Sequence, residues 1–186
     1  MEVLMSDYFP LLTSRLCLRP FQETDLPRFS AYRNQAEVAR YQSWSTFAPE
    51  DVARFWQGQK DLAFNQNDSW FQIAVTGQND GLLLGDIAVH FFDQGRQAEL
   101  GFTLDSAQQN RGYACEALKA VVELLFDRLD KHRLSAVIDS RNQAARKLLE
   151  KTGFRCEAHY RENIHFKGAW SDEYGYALLQ SEWREI

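Results

Sequence analysis

The hydrophobic pattern changes period just after Leu104, and this restricts the fold more than any other feature. Upstream, Trp70 to Val75, Leu82 to Phe92 and Ala98 to Leu104 read as strands, separated by Gly-Gln-Asn-Asp-Gly (77–81) and Asp-Gln-Gly (93–95). Gaps this short, rich in Gly, Asn and Asp, close hairpins, so the three runs form an antiparallel meander. Downstream, Ala114, Ala117, Leu118, Val121, Val122 and Leu125 recur at i, i+3, i+4, i+7, i+8 and i+11, one face of an amphipathic helix. A strand from Arg133 to Ile138 follows. Strand, helix and strand make a crossover, so the strands ending at Leu104 and beginning at Arg133 are parallel neighbours. One parallel pair in an antiparallel sheet directs attention to the turn that launches the crossover helix.

The remaining elements follow from similar signals. Leu16 to Phe21 alternates and meets Pro20, which suits a short strand. A helix from Asp25 to about Asn34 has Thr24 or Asp25 as its cap. Pro49 opens another, with Val52, Phe55, Trp56, Leu62 and Ala63 on its buried face. Ser140 with Gln143 forms a capping box for a helix reaching Lys151 and closed by Gly153. Strands over Phe154 to Ile164 and Asp172 to Leu179 complete an α+β chain. No linker, repeat or low-complexity stretch interrupts it, so one domain spans residues 1–186.

Composition excludes several functional classes. Apolar residues make up 45% and charged residues 25%, an ordinary globular mix that argues against disorder or a fibrous repeat. The net charge of −5 gives no electrostatic footprint for nucleic acid. No apolar run approaches the ~20 residues of a membrane span. The start, Met1 to Asp7, has neither a basic nor an apolar leader region. Cys17, Cys115 and Cys156 are an odd number without Cys-x-x-Cys spacing, as expected of free thiols in the cytoplasm. Cys156, His159 and His165 cluster in sequence, but residues 156 and 159 face opposite sides of a strand, so no metal is expected. No Gly-x-Ser-x-Gly or Gly-x-Gly-x-x-Gly occurs, which disfavours serine hydrolase and dinucleotide chemistry.

The crossover turn reads Gln108-Gln109-Asn110-Arg111-Gly112-Tyr113-Ala114. Glycine at a helix start leaves backbone N–H groups without intrahelical partners, and the helix dipole favours an anion there. Arg111 can add a charge-assisted contact. The residues therefore fit either a phosphate cradle or a loop that Gly112 merely shapes.

Gln109 to Ala114 resembles the Gln/Arg-x-x-Gly-x-Gly/Ala signature of the GCN5-related N-acetyltransferases. Asn142 to Phe154 is similar to that family's Asn-led helix ending in Lys-x-Gly-Phe, and Ala98-Glu99-Leu100-Gly101-Phe102 to its preceding strand. The opening Thr13-x-Arg15-Leu16-x-Leu18-Arg19 and the final Gly168-x-Trp170-x-Asp172 look closest to the RimJ/RimL-like branch, which acetylates ribosomal-protein N-terminal amines. The likeness spans essentially the whole chain. It implies a twisted, mostly antiparallel sheet with helices on both faces and one splayed parallel pair.

The resemblance also implies roles. Acetyl-CoA pyrophosphate would rest on the amides of Gln109, Asn110, Arg111, Gly112, Tyr113 and Ala114. Its pantetheine arm would pair with the backbone of Leu100, Phe102 and Leu104 and meet Asn142. A backbone N–H near Leu100 to Phe102 would polarise the thioester carbonyl, an effect of ~3–4 kcal/mol. The implied reaction is direct transfer of the acetyl group to an amine, which must be neutral to attack. At pH 7 neutralisation costs about 4.6 kcal/mol for a lysine-like amine and about 1.1 kcal/mol for an α-amine. Glu99 is the candidate base, acting through a water, or else a member of a cross-strand ion pair. Tyr41, Trp44, Phe47 and Trp170 either wall the acceptor site, with Asp86 or Asp172 nearby, or pack as core and rim.

Two family features are missing. The position of the usual tyrosine acid is Leu149, and the serine of the N-terminal-amine branch is Ala145. Tyr160 and Tyr174 are the alternative proton donors. The expected function is acetylation of a primary amine on a protein N-terminus, polyamine or amino acid. The alternatives are a ligand-sensing module that keeps the CoA groove and an aminoglycoside-modifying enzyme. The last segment, Leu179 to Ile186 with Trp183, packs either within the chain or on a second subunit, which leaves a homodimer open.

Overall fold

Period-2 patterning builds one eight-stranded sheet in the computed structural model, which describes residues 5–185. Residues 1–4, on which part of the leader reading falls, and residue 186 lie outside the described residues. The strands are β1 (Leu11–Leu12), β2 (Leu16–Pro20), β3 (Ser69–Gly77), β4 (Leu83–Phe92), β5 (Gln97–Leu104), β6 (Arg133–Asp139), β7 (Arg155–Phe166) and β8 (Ala169–Leu179). Their order is β1-β2-β3-β4-β5-β6-β8-β7, and every neighbouring pair is antiparallel except β5 and β6. The expected α+β architecture is therefore present.

The parallel pair is brief. Only Gln97, Ala98 and Glu99 bridge Arg133, Leu134 and Ser135. Beyond them β5 stays with β4 as far as Leu104, while β6 stays with β8 as far as Asp139. The two strands part between those partners, and the gap is the feature that positions the site.

Helices α1 (Leu26–Arg33), α2 (Ala36–Ala39), α3 (Pro49–Gln59), α4 (Tyr113–Glu123), α5 (Gln143–Lys151) and α6 (Gln180–Trp183) complete the fold. Leu134, Ala136, Ala98 and Leu100 meet Ala117, Leu118, Val121, Val122 and Leu149 in the main core. Each leucine and valine among them contributes ~1.5–3 kcal/mol when fully buried. A π-helical turn over Leu124–Arg128 extends α4 and keeps Leu124, Leu125 and Phe126 buried in succession. Ala74 alternates away from Ile73 and Val75, so it joins a second cluster with Phe21, Phe29, Tyr32, Val38 and Leu83 under α1 and α3.

Several local expectations need correction. Asn142, rather than Ser140, caps α5: its Oδ1 accepts the Ala145 N–H at 3.1 Å. Ser140 lies two residues before that cap, where its N–H donates to Asp172 O at 3.0 Å and holds the chain at the strand end. The helix α3 stops at Gln59, so Leu62 and Ala63 lie beyond it. Asp25 precedes α1 as expected, but its carboxylate reaches back to Gln22 N and Arg19. Trp183 packs within the chain, near Phe126.

Candidate active site

The turn before α4 is held open from behind. Asn110 and Gly112 adopt left-handed backbone, with φ of +60° and +81°. Among the described residues, no protein acceptor meets the backbone N–H groups of Asn110, Arg111, Gly112, Tyr113, Ala114 or Cys115, and the first intrahelical bond is Glu116 N to Gly112 O. Successive free donors in this conformation form an anion-binding concavity at a helix N-terminus. Gln109 differs: its N–H donates to Ser106 O at 3.3 Å, so the free run begins one residue later than expected.

Arg15 and Glu116 supply the backing, a pair that motif reading did not assign to the site. Glu116 accepts from Thr13 Oγ1, Ser14 Oγ and the Arg15 backbone, and its pKa is lowered because these bonds outweigh its burial. The Arg15 guanidinium binds Glu116, donates to Arg111 O at 2.9 Å and lies 4.6 Å from the Tyr113 ring centroid. Arg111 itself is exposed and lines neither cavity described next.

Two cavities meet in the gap between β5 and β6. One, of ≈270 Å³, runs from Gln109, Asn110, Gly112, Tyr113 and Ala114 along α4 and α5 to Phe102 and Leu104. The other, of ≈490 Å³, is bordered by Glu99, Gly101, Val137, Asp139 and Glu173, which alternation places on the opposite sheet face. Tyr41, Gln42, Phe102, Asn142 and Ala145 border both. A long ligand entering along α4 and a second ligand entering from the other face would meet there.

Glu99 is half-buried on the second cavity, and its carboxylate has no hydrogen bond or ion pair among the described residues. Burial raises its pKa, nearby Glu173 adds to the rise, and His90 opposes it. His90 faces it across the ladder but stacks on Trp70, with centroids 4.8 Å apart, so the expected alternative of a cross-strand ion pair is not formed. After capping α5, Asn142 leaves its Nδ2 without a partner among the described residues, so this donor is available at the junction.

The aromatic residues divide. Tyr41 borders both cavities. Trp44 and Phe47 line neither; Trp44 donates its indole N–H to Arg33 O, and Phe47 packs edge-on against Phe29. The buried Arg33 guanidinium draws both rings inward, at 4.1 and 5.2 Å from their centroids. Trp170 is 61% exposed near the tip of the β7–β8 hairpin, against His165. Asp86 borders the first cavity but is engaged by Tyr32, Arg33 and Gln72, while Asp172 binds His159 and the Glu162 N–H. Neither Tyr160 nor Tyr174 lines the two cavities, and Leu149 is fully buried in the main core.

A groove with free amides at one end and an ionisable carboxylate beyond its junction has room for two ligands that meet at Tyr41, Phe102 and Asn142. Residues 15–155 match the model of the acetyltransferase (GNAT) domain, so the chain belongs to that family and is an acyltransferase. The N-acetyltransferase YnaD of Bacillus subtilis is 28% identical over 93% of this chain and 98% of its own. A GNAT-family acetyltransferase structure from Bacillus anthracis superposes with a TM-score of 0.82 at 26% identity, covering 92% of this chain and 98% of that one. The spermidine N-acetyltransferase of Vibrio cholerae, solved with CoA and spermine, shares the fold (TM-score 0.79, 19% identity, 92% and 99% covered). So does RimL, a ribosomal L7/L12 α-N-protein acetyltransferase solved with CoA (0.79, 20%, 90% and 95%). Among the described residues no helix is long and apolar enough to cross a membrane.

Proposed function

We propose that the chain, as one domain over residues 1–186 acting in the cytoplasm, transfers acetyl from acetyl-CoA to a primary amine. The observation that carries this reading is the meeting of two cavities from opposite sheet faces in the β5–β6 gap. The amides of residues 110–115 suit the pyrophosphate, while the edge of β5 turned away from β4 beyond Glu99, with Leu100 and Phe102, and Asn142 Nδ2 suit the pantetheine amides; the Leu104 carbonyl already accepts from Gln109 Nε2 at 3.2 Å. When bound, acetyl-CoA supplies an activated acyl group. Glu99 takes the amine proton through a water, and its raised pKa brings it nearer the ammonium it must deprotonate. With Leu149 and Ala145 unable to donate, Tyr41, which borders both cavities, is the proposed proton donor to the leaving thiolate.

Glu99→Gln tests the base. With an α-amine acceptor the variant should lose about 100-fold in kcat/KM at pH 7. The wild-type pH profile should show an acid-side limb from Glu99 beside that of the amine, and the variant should keep only the amine's. Stability moves the other way. A carboxyl whose folded pKa is raised stabilises the protein below its unfolded pKa, and this contribution is lost as pH rises through the folded value. Urea unfolding at pH 7 should therefore find the variant at least as stable as the parent. An unchanged pH–rate profile would remove Glu99 from the reaction.

A further inference from the structure

We infer that the acceptor carries a carboxylate as well as its amine, and that a basic cleft of Arg40, Arg141 and Lys167 seats it. The inference rests on the acetyl-transfer reading and adds the acceptor's chemical class. The cleft is a separate cavity of ≈160 Å³, completed by Tyr41, Phe166, Ala169 and Ser171. Tyr41 and Phe166 also wall the larger cavity that holds Glu99, so the two spaces adjoin.

Charge in the cleft is unbalanced. Arg141 grips Asp139 with two nitrogens at 2.9 and 2.6 Å and donates to Ser171 Oγ at 2.8 Å, so that pair neutralises itself. Lys167 donates only to carbonyl oxygens, those of Ala39 and Arg40. It sits on a two-residue hairpin turn with Gly168, at φ of +53° and +81°, which delivers the ammonium to the end of α2. Arg40 meets no carboxylate among the described residues; its guanidinium lies 5.2 Å from the Tyr41 ring centroid. Lys167 also feels Asp139, but Arg141 already grips that carboxylate, so three cations face one carboxylate beside a cavity that also holds Glu99 and Glu173.

Acidic groups in one cavity and cations in the next match a molecule with an amine at one end and an anion at the other. A polyamine, cationic along its length, would meet Arg40 and Lys167 as like charges. Because both side chains are exposed, screening limits the expected preference to about tenfold.

The test is calorimetric titration of the CoA-loaded protein with Ala-Asp, with its fully amidated counterpart Ala-Asn-amide, and with spermidine. Ala-Asp should bind about tenfold more tightly than the amide, and more tightly than spermidine. Arg40→Gln and Lys167→Gln should each shrink that difference, and the double variant should erase it while CoA affinity stays unchanged. In turnover, the variants should raise KM for Ala-Asp and leave kcat in place. Equal binding of the two dipeptides, a preference for spermidine, a difference that survives in the double variant, or no binding at all would overturn the cleft. Selective binding of Ala-Asp without acetyl transfer to any amine would instead overturn the acetyl-transfer reading and leave the cleft standing.

Discussion

Gly112→Val is expected to lower acetyl-CoA affinity by at least ~100-fold, about 2.7 kcal/mol, while the sheet stays folded. Gly112 sits at φ +81° and ψ 0°, a conformation that β-branched residues scarcely adopt. A Cβ there would also lie 3.3 Å from Arg15 Nη2. That guanidinium cannot easily retreat, since Glu116 and the Arg111 carbonyl hold it. The turn must therefore change shape, and the free amides from Asn110 to Cys115 would no longer converge. Calorimetry with acetyl-CoA reads the loss, and circular dichroism confirms the fold. Gly112→Ala, lacking β-branching, should fall between valine and the parent. Unchanged affinity in the valine variant would dismiss the turn as the phosphate site.

Asp86→Ala is expected to destabilise the protein by about 3–5 kcal/mol, because it strands a buried cation. Asp86 is only 2% exposed and accepts from Tyr32 Oη at 2.5 Å, Gln72 Nε2 at 2.6 Å and Arg33 Nη2 at 3.2 Å. Arg33 lies against the rings of Phe29, Trp44 and Phe47, and its Nε has no hydrogen-bond partner among the described residues. Burial and the neighbouring carboxylate keep the Tyr32 phenol protonated, so it remains a donor to Asp86. Removing both charges should cost far less than removing one, since apolar replacements of buried ion pairs are often neutral. Urea midpoints of Asp86→Ala and of Asp86→Leu with Arg33→Met measure the contrast. A loss below about 1 kcal/mol in the single variant would mean that Arg33 reaches water.

Much of this frame was legible because it depends on long periodic patterns. The three hairpin-linked strands and the face from Ala114 to Leu125 each repeat often enough to define an element, and their order dictates the parallel pair. Short elements were not legible: β1 has two residues and α2 four, too few to show a period. At α5 the cap lay two residues further on than the box suggested. The Ser140–Gln143 box lost to Asn142 because Ser140 is still bonded to β8, a long-range contact invisible locally.

The site divided along the same line. Glu99, Asn142 and the 109–114 turn belong to contiguous motifs, and the structure brings most of them to one groove. The aromatics were recognisable as residues but not as partners. Trp44 and Phe47 face inward because Arg33, on another element, collects them. Arg15 with Glu116, and Arg40 with Lys167, each join residues more than a hundred positions apart, and spacing carries no trace of such pairs.

The most direct measurement is CoA release, read with a thiol reagent, from acetyl-CoA mixed with the protein and peptides, amino acids, polyamines or aminoglycosides, with mass spectrometry of the acceptor. The expected result is stoichiometric CoA release and acetylation of a primary amine, both strongly reduced by Gly112→Val at limiting acetyl-CoA and by Glu99→Gln. Acetyl-CoA binding without transfer to any amine would favour a ligand-sensing module. Failure to bind acetyl-CoA at all would contradict the assignment of the β5–β6 groove.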